Sequence, residues 1–500
     1  MASAEPAAGI GIGPGYSLAG ARASRVVLWL VLVPLCLLFG LMLAGANWVG
    51  AGVILGALAL ARLIMAGPWW VAATWLIAVP TVGVFFDNFL QGVPFVRGKR
   101  VMFVLLLCMV AWQAVVDKRR MATLVPVERR MLLFLLVAAF SVGVTGFDKD
   151  LAEFLRDDLS LLIDGYVMPM SAFFLARRLV WNGERFHHFA AMLLGVGVFL
   201  AITAPLETLL GLDWFIPTTI NAIHTIERAT GTFGNAAEYG LVVSSFFLLA
   251  SWFSLHTRDS FARAWVTVAM LLLLAAVVLC KTRAPWFGLV VSMAVLYALE
   301  ARSRPILNLV AFFGVIGVLA AIPFLLALEG FVHRVTDPSP VYNRIASWAT
   351  ALNIMVQNPF TGIGMSRHAF GSVAAAYAVG VGDVSSSWIV HLAVPHNEFF
   401  NVGSMTGVFG GLLYLSVVGG VIAALLRVRR RTELRDDVRG FAVVVATIWV
   451  GWVLNACFSD FGSLGYVNIL VYFMAGVALT MAELPAASTS QGGALASVRR

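Results

Sequence analysis

Residues 264–280 read AWVTVAMLLLLAAVVLC, an apolar run that ends at the polar segment KTR of residues 281–283. A helix of this length can cross the roughly 30 Å hydrocarbon core of a membrane. Similar runs recur along the chain with short polar breaks between them. Hydrophobic residues make up 60% of the chain and charged residues 12%, and the mean hydropathy is +0.90. Because a soluble domain carries about 25% charged residues, this balance indicates a membrane protein.

The apolar runs predict fourteen candidate spans, of which the sixth is the weakest because Asp164 lies inside it. An intramembrane carboxylate is costly and tends to face the bundle interior, so Asp164 is either functional or paired with a polar neighbour. The predicted fold is all-α, a polytopic transmembrane helical bundle of about 12–14 spans. The spans start near Val26, Val49, Trp69, Val101, Met131, Leu159, Phe189, Tyr239, Ala264, Pro285, Ile306, Val408, Phe441 and Gly465.

Charge asymmetry predicts the orientation of these spans. If all fourteen are real, 23 of the 34 lysines and arginines fall on the side of the N-terminus and 11 on the other side. Since cytoplasmic loops carry the excess of positive charge, the N- and C-termini are predicted to be cytoplasmic. The net charge of +8 is therefore read as a topology signal and not as a nucleic-acid surface.

The chain divides into five predicted parts. Residues 1–25 form a cytoplasmic tail, 26–328 the first part of the bundle, 329–400 an external loop, 401–484 the last spans and 485–500 a second cytoplasmic tail. The external loop is too long for a simple connection and contains a helix-like piece from Ser347 to Val356. We expect it to fold as a cap over the bundle.

Arginines on the external side run against the rule that positive charge gathers in cytoplasmic loops. We therefore expect each of them to bind a negatively charged partner. Arg228, Arg283 and Arg344 lie in three predicted external segments. Together they form a candidate anion cradle, because the planar guanidinium suits phosphate oxygens in a bidentate manner. The alternatives are that these side chains reach into the interface, or that they pair with Glu227 or Asp337.

The segment PHNEFF at residues 395–400 closes the external loop where the next span begins. His396 is a candidate general base, since imidazole accepts a proton near neutral pH. His391, His368, His333 and His224 are weaker external candidates. No histidine, cysteine or carboxylate spacing fits a metal site, so neither metal nor cofactor is expected.

Two Gly-rich segments, GTFG at 231–234 and GIG at 362–364, lack the lysine and the strand-to-helix context of a soluble phosphate loop. Turns or close backbone packing are their expected roles.

The order of several short motifs resembles the O-antigen ligase and Wzy-type polymerase superfamily. ERATGTFGN at 227–235 is followed by KTRA at 281–284, by NRIASW at 343–348 with NPFTGIG at 358–364, and by PHNE at 395–398. The likeness covers about residues 228–410. No single motif is specific, and TRA at 282–284 stands where SRG or SRA is commoner.

The resemblance implies an inverting, metal-independent membrane glycosyltransferase of the bacterial inner membrane with a periplasmic active site. Its donor would be a glycan linked to undecaprenyl pyrophosphate. Arg228 and Arg283 would hold the pyrophosphate and His396 would activate the acceptor hydroxyl. Further expected substrate-binding residues are Lys281, Arg344, Asn397 and Glu398.

Two readings of the acceptor remain open. A ligase would use lipid A core, whereas a polymerase would use another lipid-linked glycan and work beside a chain-length regulator. A transporter or flippase of lipid-linked sugars is the alternative from another class, and Asp164 is the feature that favours it. A third reading, a structural assembly factor, would not explain why arginines lie on the external side.

Overall fold

The structure is a computed structural model that describes residues 48–89, 97–116, 123–146, 149–212, 228–257, 259–326, 339–379 and 394–484. These residues form helices and turns and include no strand. The chain divides into two compact units, residues 1–71 and 72–500, and the candidate site belongs to the second unit. The helices are α1 Trp48–Ala66, α2 Pro68–Phe89, α3 Gly98–Val116, α4 Pro126–Gly146, α5 Leu151–Arg178, α6 Gly183–Leu210, α7 Ala236–His256, α8 Ser260–Leu279, α9 Arg283–Leu299, α10 Arg304–Leu326, α11 Ser339–Gln357, α12 Ala369–Tyr377, α13 Glu398–Arg429, α14 Asp436–Ala456 and α15 Gly465–Glu483.

Eight of the described helices, namely α3, α5 to α8 and α13 to α15, are long and apolar enough to cross a membrane. Helix α9 and the first part of α10 pass this test only as a pair and meet at 119°, as in a broken span or a re-entrant loop. The predicted all-α polytopic bundle is confirmed. Each predicted span start after Val26 falls within a helix, whereas Val26 lies outside the described residues.

Helices α7 and α15 form the centre of the bundle. All of the residues in the most apolar stretch of α15 are buried inside the protein, and 83% of those in the corresponding stretch of α7 are buried. Helix α15 packs along the last part of α5, where a Cβ on Gly476 would lie only 2.6 Å from the carbonyl oxygen of Phe173. Small residues allow this close approach of two helix backbones, which is how membrane helices gain packing energy without a hydrophobic driving force.

Helix α5 contains the carboxylate that made its span weak. Two π-helical turns interrupt it, and Asp164 lies in the second turn with only 4% of its surface exposed. Its carboxylate contacts Arg100 at 2.7 Å, Lys99 at 2.9 Å and Arg97 at 3.6 Å, all near the start of α3. The ion pairs offset the cost of burying the charge, so the prediction of a polar partner for Asp164 is confirmed.

The segments predicted to be cytoplasmic meet one another at one end of the helices. Arg177, at the end of α5, contacts Glu128 at 2.7 Å and Glu483 at 2.8 Å. Arg302 forms another ion pair at this end, with Asp436 at 2.8 Å. The segments predicted to be external meet at the opposite end, and they form the site described next.

Candidate active site

In the PHNE segment, His396 lines an open cavity, whereas Asn397 and Glu398 hydrogen-bond to other parts of the protein. Asn397 caps α13: its side-chain oxygen accepts hydrogen bonds from the backbone N–H groups of Phe399 and Phe400 at 3.0 and 3.1 Å, which the first turn of a helix leaves unpaired. Its amide nitrogen donates to the carbonyl of Cys457 at 3.1 Å. His396 precedes this cap in a left-handed backbone conformation, with φ 53°. The cap therefore holds the backbone from which the imidazole projects.

Glu398 holds the loop between α14 and α15. The residue is completely buried, and one carboxylate oxygen accepts hydrogen bonds from the N–H groups of Phe461 and Gly462 at 2.7 and 3.1 Å. The other oxygen accepts from the Tyr166 hydroxyl at 2.9 Å. The structure thus places Asn397 and Glu398, which the sequence predicted to bind substrate, in the scaffold of the site, because protein groups occupy their polar atoms.

Asp460, on the loop that Glu398 holds, is the carboxylate that pairs with the predicted base among the described residues. Its Oδ2 atom lies 3.4 Å from Nδ1 of His396. About half of the imidazole is exposed, whereas the carboxylate is 9% exposed. Such a carboxylate can hold one imidazole tautomer and orientation, leaving Nε2 available for proton transfer. Sequence reasoning missed Asp460, although its position in a short external loop between two spans was a usable signal.

Arg344, on α11, lies beside Asp460 and Arg283. Its guanidinium stacks on the Phe458 ring, 5.8 Å from the ring centre. Burial lowers the pKa of Arg344 and the charge of Arg283 lowers it further, while Asp460 acts in the opposite direction. Within the described residues its guanidinium makes no hydrogen bond or ion pair. Two of the three predicted cradle arginines are therefore close enough to repel each other, which favours an anion between them.

Arg228 and Lys281 are placed by the turn that follows α8. The backbone N–H of Ala229 donates to the carbonyl of Leu279 at 3.0 Å, which ties the Arg228 segment to this turn. Burial raises the pKa of the Cys280 thiol to about 11, and the charge of Arg228 opposes this shift. Lys281 follows with φ 45° and is exposed. Arg228, Lys281 and Arg283 thus flank one turn, with Arg283 as the first residue of α9.

A cavity of about 310 Å³ opens beside the His396–Asp460 pair. His396, Asp460, Arg367 and Asn401 line it together with apolar side chains, whereas Arg228, Arg283 and Arg344 are not among the described residues that line it. This volume lies at the lower end of the range for small-molecule sites. Arg367 and Asn401 were also missed from the sequence, because a single arginine in a long loop and an asparagine in an apolar helix carry no motif.

The other predicted histidines do not reach this arrangement among the described residues. His368 is largely exposed, with Nε2 3.9 Å from Oδ1 of Asp157. His224, His333 and His391 lie outside the described residues. Among the residues that the structure describes, no group of three or more histidine, cysteine or acidic residues has the geometry of a metal site.

A family model described as Wzy_C, O-antigen ligase, matches residues 268–415. This segment belongs to the O-antigen ligase and Wzy-type polymerase superfamily. The predicted resemblance is confirmed, and the chain contains a domain of the O-antigen ligase type. No curated protein matched the chain. The matched segment includes Arg283, Arg344 and His396, whereas Arg228 and Asp460 lie outside it.

Proposed function

We propose that the chain transfers a glycan from undecaprenyl pyrophosphate to a saccharide hydroxyl on the periplasmic side of the bacterial inner membrane. The observation that carries this proposal is the His396–Asp460 pair, which lies at a cavity with Arg344 and Arg283 beside it. A base at a cavity and a group of cations close to that base are what transfer from a sugar pyrophosphate requires. The O-antigen ligase domain supports the same class of reaction.

The proposed step is an inverting displacement at the anomeric carbon. The acceptor oxygen forms a bond to that carbon and passes its proton to Nε2 of His396. The bond from the anomeric carbon to the phosphate oxygen breaks, and the lipid pyrophosphate leaves with the electron pair. Arg344, Arg283 and Arg228 stabilise the charge that grows on the leaving group, and Asp460 stabilises the imidazolium. No metal is needed because fixed guanidinium groups supply the positive charge.

Asp164, the residue that favoured a transporter, does not support that alternative. Asp164 is engaged by three cations near the start of α3, so it is not a vacant carboxylate on a transport path. The ligase and polymerase variants share the chemistry proposed above and differ only in the acceptor. We therefore design the test to include both acceptors.

The test compares variants of two histidines, each of which lies near an aspartate. His396→Gln removes the proposed base, and His187→Gln is the control. His187 lies 3.5 Å from Asp437 at the other end of the helices, with 45% of its side chain exposed against 47% for His396. The purified protein in lipid nanodiscs is given an undecaprenyl-pyrophosphate glycan, with either lipid A core or a second lipid-linked glycan as acceptor, and the products are separated by size.

We expect His396→Gln to lower turnover by a factor on the order of 10² to 10⁴ while His187→Gln keeps the wild-type rate. Product on lipid A core identifies a ligase, and a ladder of lipid-linked chains identifies a polymerase. A His396→Gln variant with the wild-type rate would refute the base assignment. A wild-type protein that forms no product with either acceptor would refute the proposed function.

A further inference from the structure

Arg367 lines the same cavity as His396 but belongs to a different group of charges. It lies between the Gly362–Gly364 segment and α12, and it is partly buried. Within the described residues its guanidinium makes no hydrogen bond and no ion pair. Burial lowers the pKa of Arg367, and the charges of Arg97 and Arg100 lower it further. An arginine in such surroundings is stabilised by an anion that binds beside it.

The nearby carboxylates are already engaged by other cations. Asp164 is bound by Arg100, Lys99 and Arg97. Asp157 lies 3.3 Å from Nε of Arg156. Burial is the largest cause of the lowered pKa of Arg367, and these carboxylates act in the opposite direction. Because Asp164 and Asp157 are paired with other cations, neither is a dedicated counter-ion of Arg367 in the described part of the chain.

Asn401 provides a second, independent observation. The residue is 3% exposed and lines the cavity, and its side-chain oxygen has no hydrogen-bond partner among the described residues. Leaving a buried amide unpaired costs roughly 1–3 kcal/mol, which a bound ligand would offset. An amide both donates and accepts, as a sugar hydroxyl does. Leu161, Met405 and Leu464 line the same space and suit the C–H face of a sugar ring.

Arg344 and Arg367 lie among different charged residues. The charges that act on Arg344 are those of Arg283 and Asp460, whereas those that act on Arg367 come from the start of α3 and from α5. In the proposed reaction the first group faces the pyrophosphate of the donor. The second group then faces the other substrate, across the cavity that contains the base.

We propose that this cavity binds an acceptor sugar that carries an anionic substituent, with Arg367 binding the anion and Asn401 binding a ring hydroxyl. The inference rests on the proposed function, since it names the acceptor class of that same site. A carboxylate of a uronic acid and a phosphate ester offer the same chemistry to a guanidinium. The test must therefore separate these two sources.

The experiment uses two matched pairs of acceptors with the purified full-length protein in nanodiscs. One pair is a uronic-acid oligosaccharide and its carboxyl-reduced neutral form, and the other is a phosphorylated oligosaccharide and its dephosphorylated form. The variants are Arg367→Gln and Arg367→Lys. Arg263→Gln is the control, because Arg263 is an exposed arginine whose guanidinium donates to the backbone carbonyl of Thr257 at 2.9 Å, away from the residues that line the cavity.

Acceptor binding is measured without donor by thermophoresis, and KM for acceptor is measured with donor. We expect Arg367→Gln to weaken binding and raise KM for one of the charged acceptors by about 10- to 100-fold, with no change for its neutral form. Arg367→Lys should recover part of the loss, and Arg263→Gln should match the wild type. The pair that shows the effect identifies the anion.

Equal losses on charged and neutral acceptors would overturn the inference, and so would a wild type with no preference for a charged acceptor in either pair. A rise in the donor KM alone would assign Arg367 to the donor and would also overturn it. Preferential binding of a charged acceptor without any transfer would refute the proposed function and leave this inference standing. Because binding is read without donor, the two failures are distinguishable.

Discussion

At the scale of single residues, Glu398 shows how a buried carboxylate can serve a site without touching substrate. It accepts hydrogen bonds from two consecutive backbone N–H groups, and these belong to the residues that directly follow Asp460. The position of Asp460 relative to His396 therefore depends on Glu398. Glu238 acts similarly nearby, since it accepts from the N–H group of Tyr466 at 3.1 Å at the start of α15.

We expect Glu398→Ala to lower both the melting temperature and turnover. Alanine removes the oxygen that accepts from the N–H groups of Phe461 and Gly462, and each buried donor left unpaired costs roughly 1–3 kcal/mol. Glu184→Ala is the matched control, because Glu184 also lies in the first turn of a helix but is exposed. Loss of turnover with an unchanged melting temperature would instead support the direct substrate contact that the sequence predicted for Glu398.

At the scale of elements, α13 is broken where the NPFTGIG segment packs against it. Gly407 has φ 76° inside the helix, and the N–H of Val408 donates to the carbonyl of Pro359 at 2.8 Å. In the opposite direction, the N–H of Ile363 donates to the carbonyl of Ser404 at 2.9 Å. The break thus lets a loop form backbone hydrogen bonds with a helix, and it confirms close packing as a role of the Gly362–Gly364 segment.

We expect Gly407→Ala to reduce folded yield strongly. A Cβ at this position would lie 2.5 Å from the Pro359 carbonyl oxygen. In addition, the positive φ of residue 407 adds about 1–2 kcal/mol of backbone strain for any residue other than glycine. Gly419→Ala in the same helix is the control, since a Cβ there meets nothing within 4 Å and alanine favours a helix. Size-exclusion profiles and melting temperatures measure both variants, and equal yields would refute a structural need for the break.

At the scale of the whole molecule, the segments that the hydropathy pattern places on one side of the membrane contact one another in the folded chain. The ion pairs of Arg177 join three such segments at one end, and the His396–Asp460 pair joins two at the other. The alternation of spans and the charge asymmetry were derived without any contact information. The fold therefore groups the loops as the predicted topology requires.

Two single cysteines, introduced into a chain without its natural cysteines, test which end faces the periplasm. Thr361→Cys lies at the end of the molecule that contains the candidate site, and Thr432→Cys lies between α13 and α14 at the other end; both positions are exposed. With a membrane-impermeant maleimide, we expect the first to react in spheroplasts and the second only after lysis. The reverse pattern would invert the orientation of the whole chain.

The sequence by itself determined the helical class, the positions of the span starts after Val26 and, through the order of its motifs, the superfamily. These features are readable because a membrane requires local apolar runs, and because positive charge is biased toward one side. The candidate base and the three arginines were also chosen from the sequence, since charged residues on the external side stand out there.

Only the tertiary structure brought Asp460, Arg367 and Asn401 to the cavity, and only it separated the task of His396 from those of Asn397 and Glu398. The physical reason is that these contacts join helix ends far apart in the chain, such as Glu398 with Phe461 and Gly462. Hydropathy reports whether a segment is buried, but which loops meet depends on how the helices pack. A polar residue in an external loop therefore acquires its partner, and with it its role, only when the bundle folds.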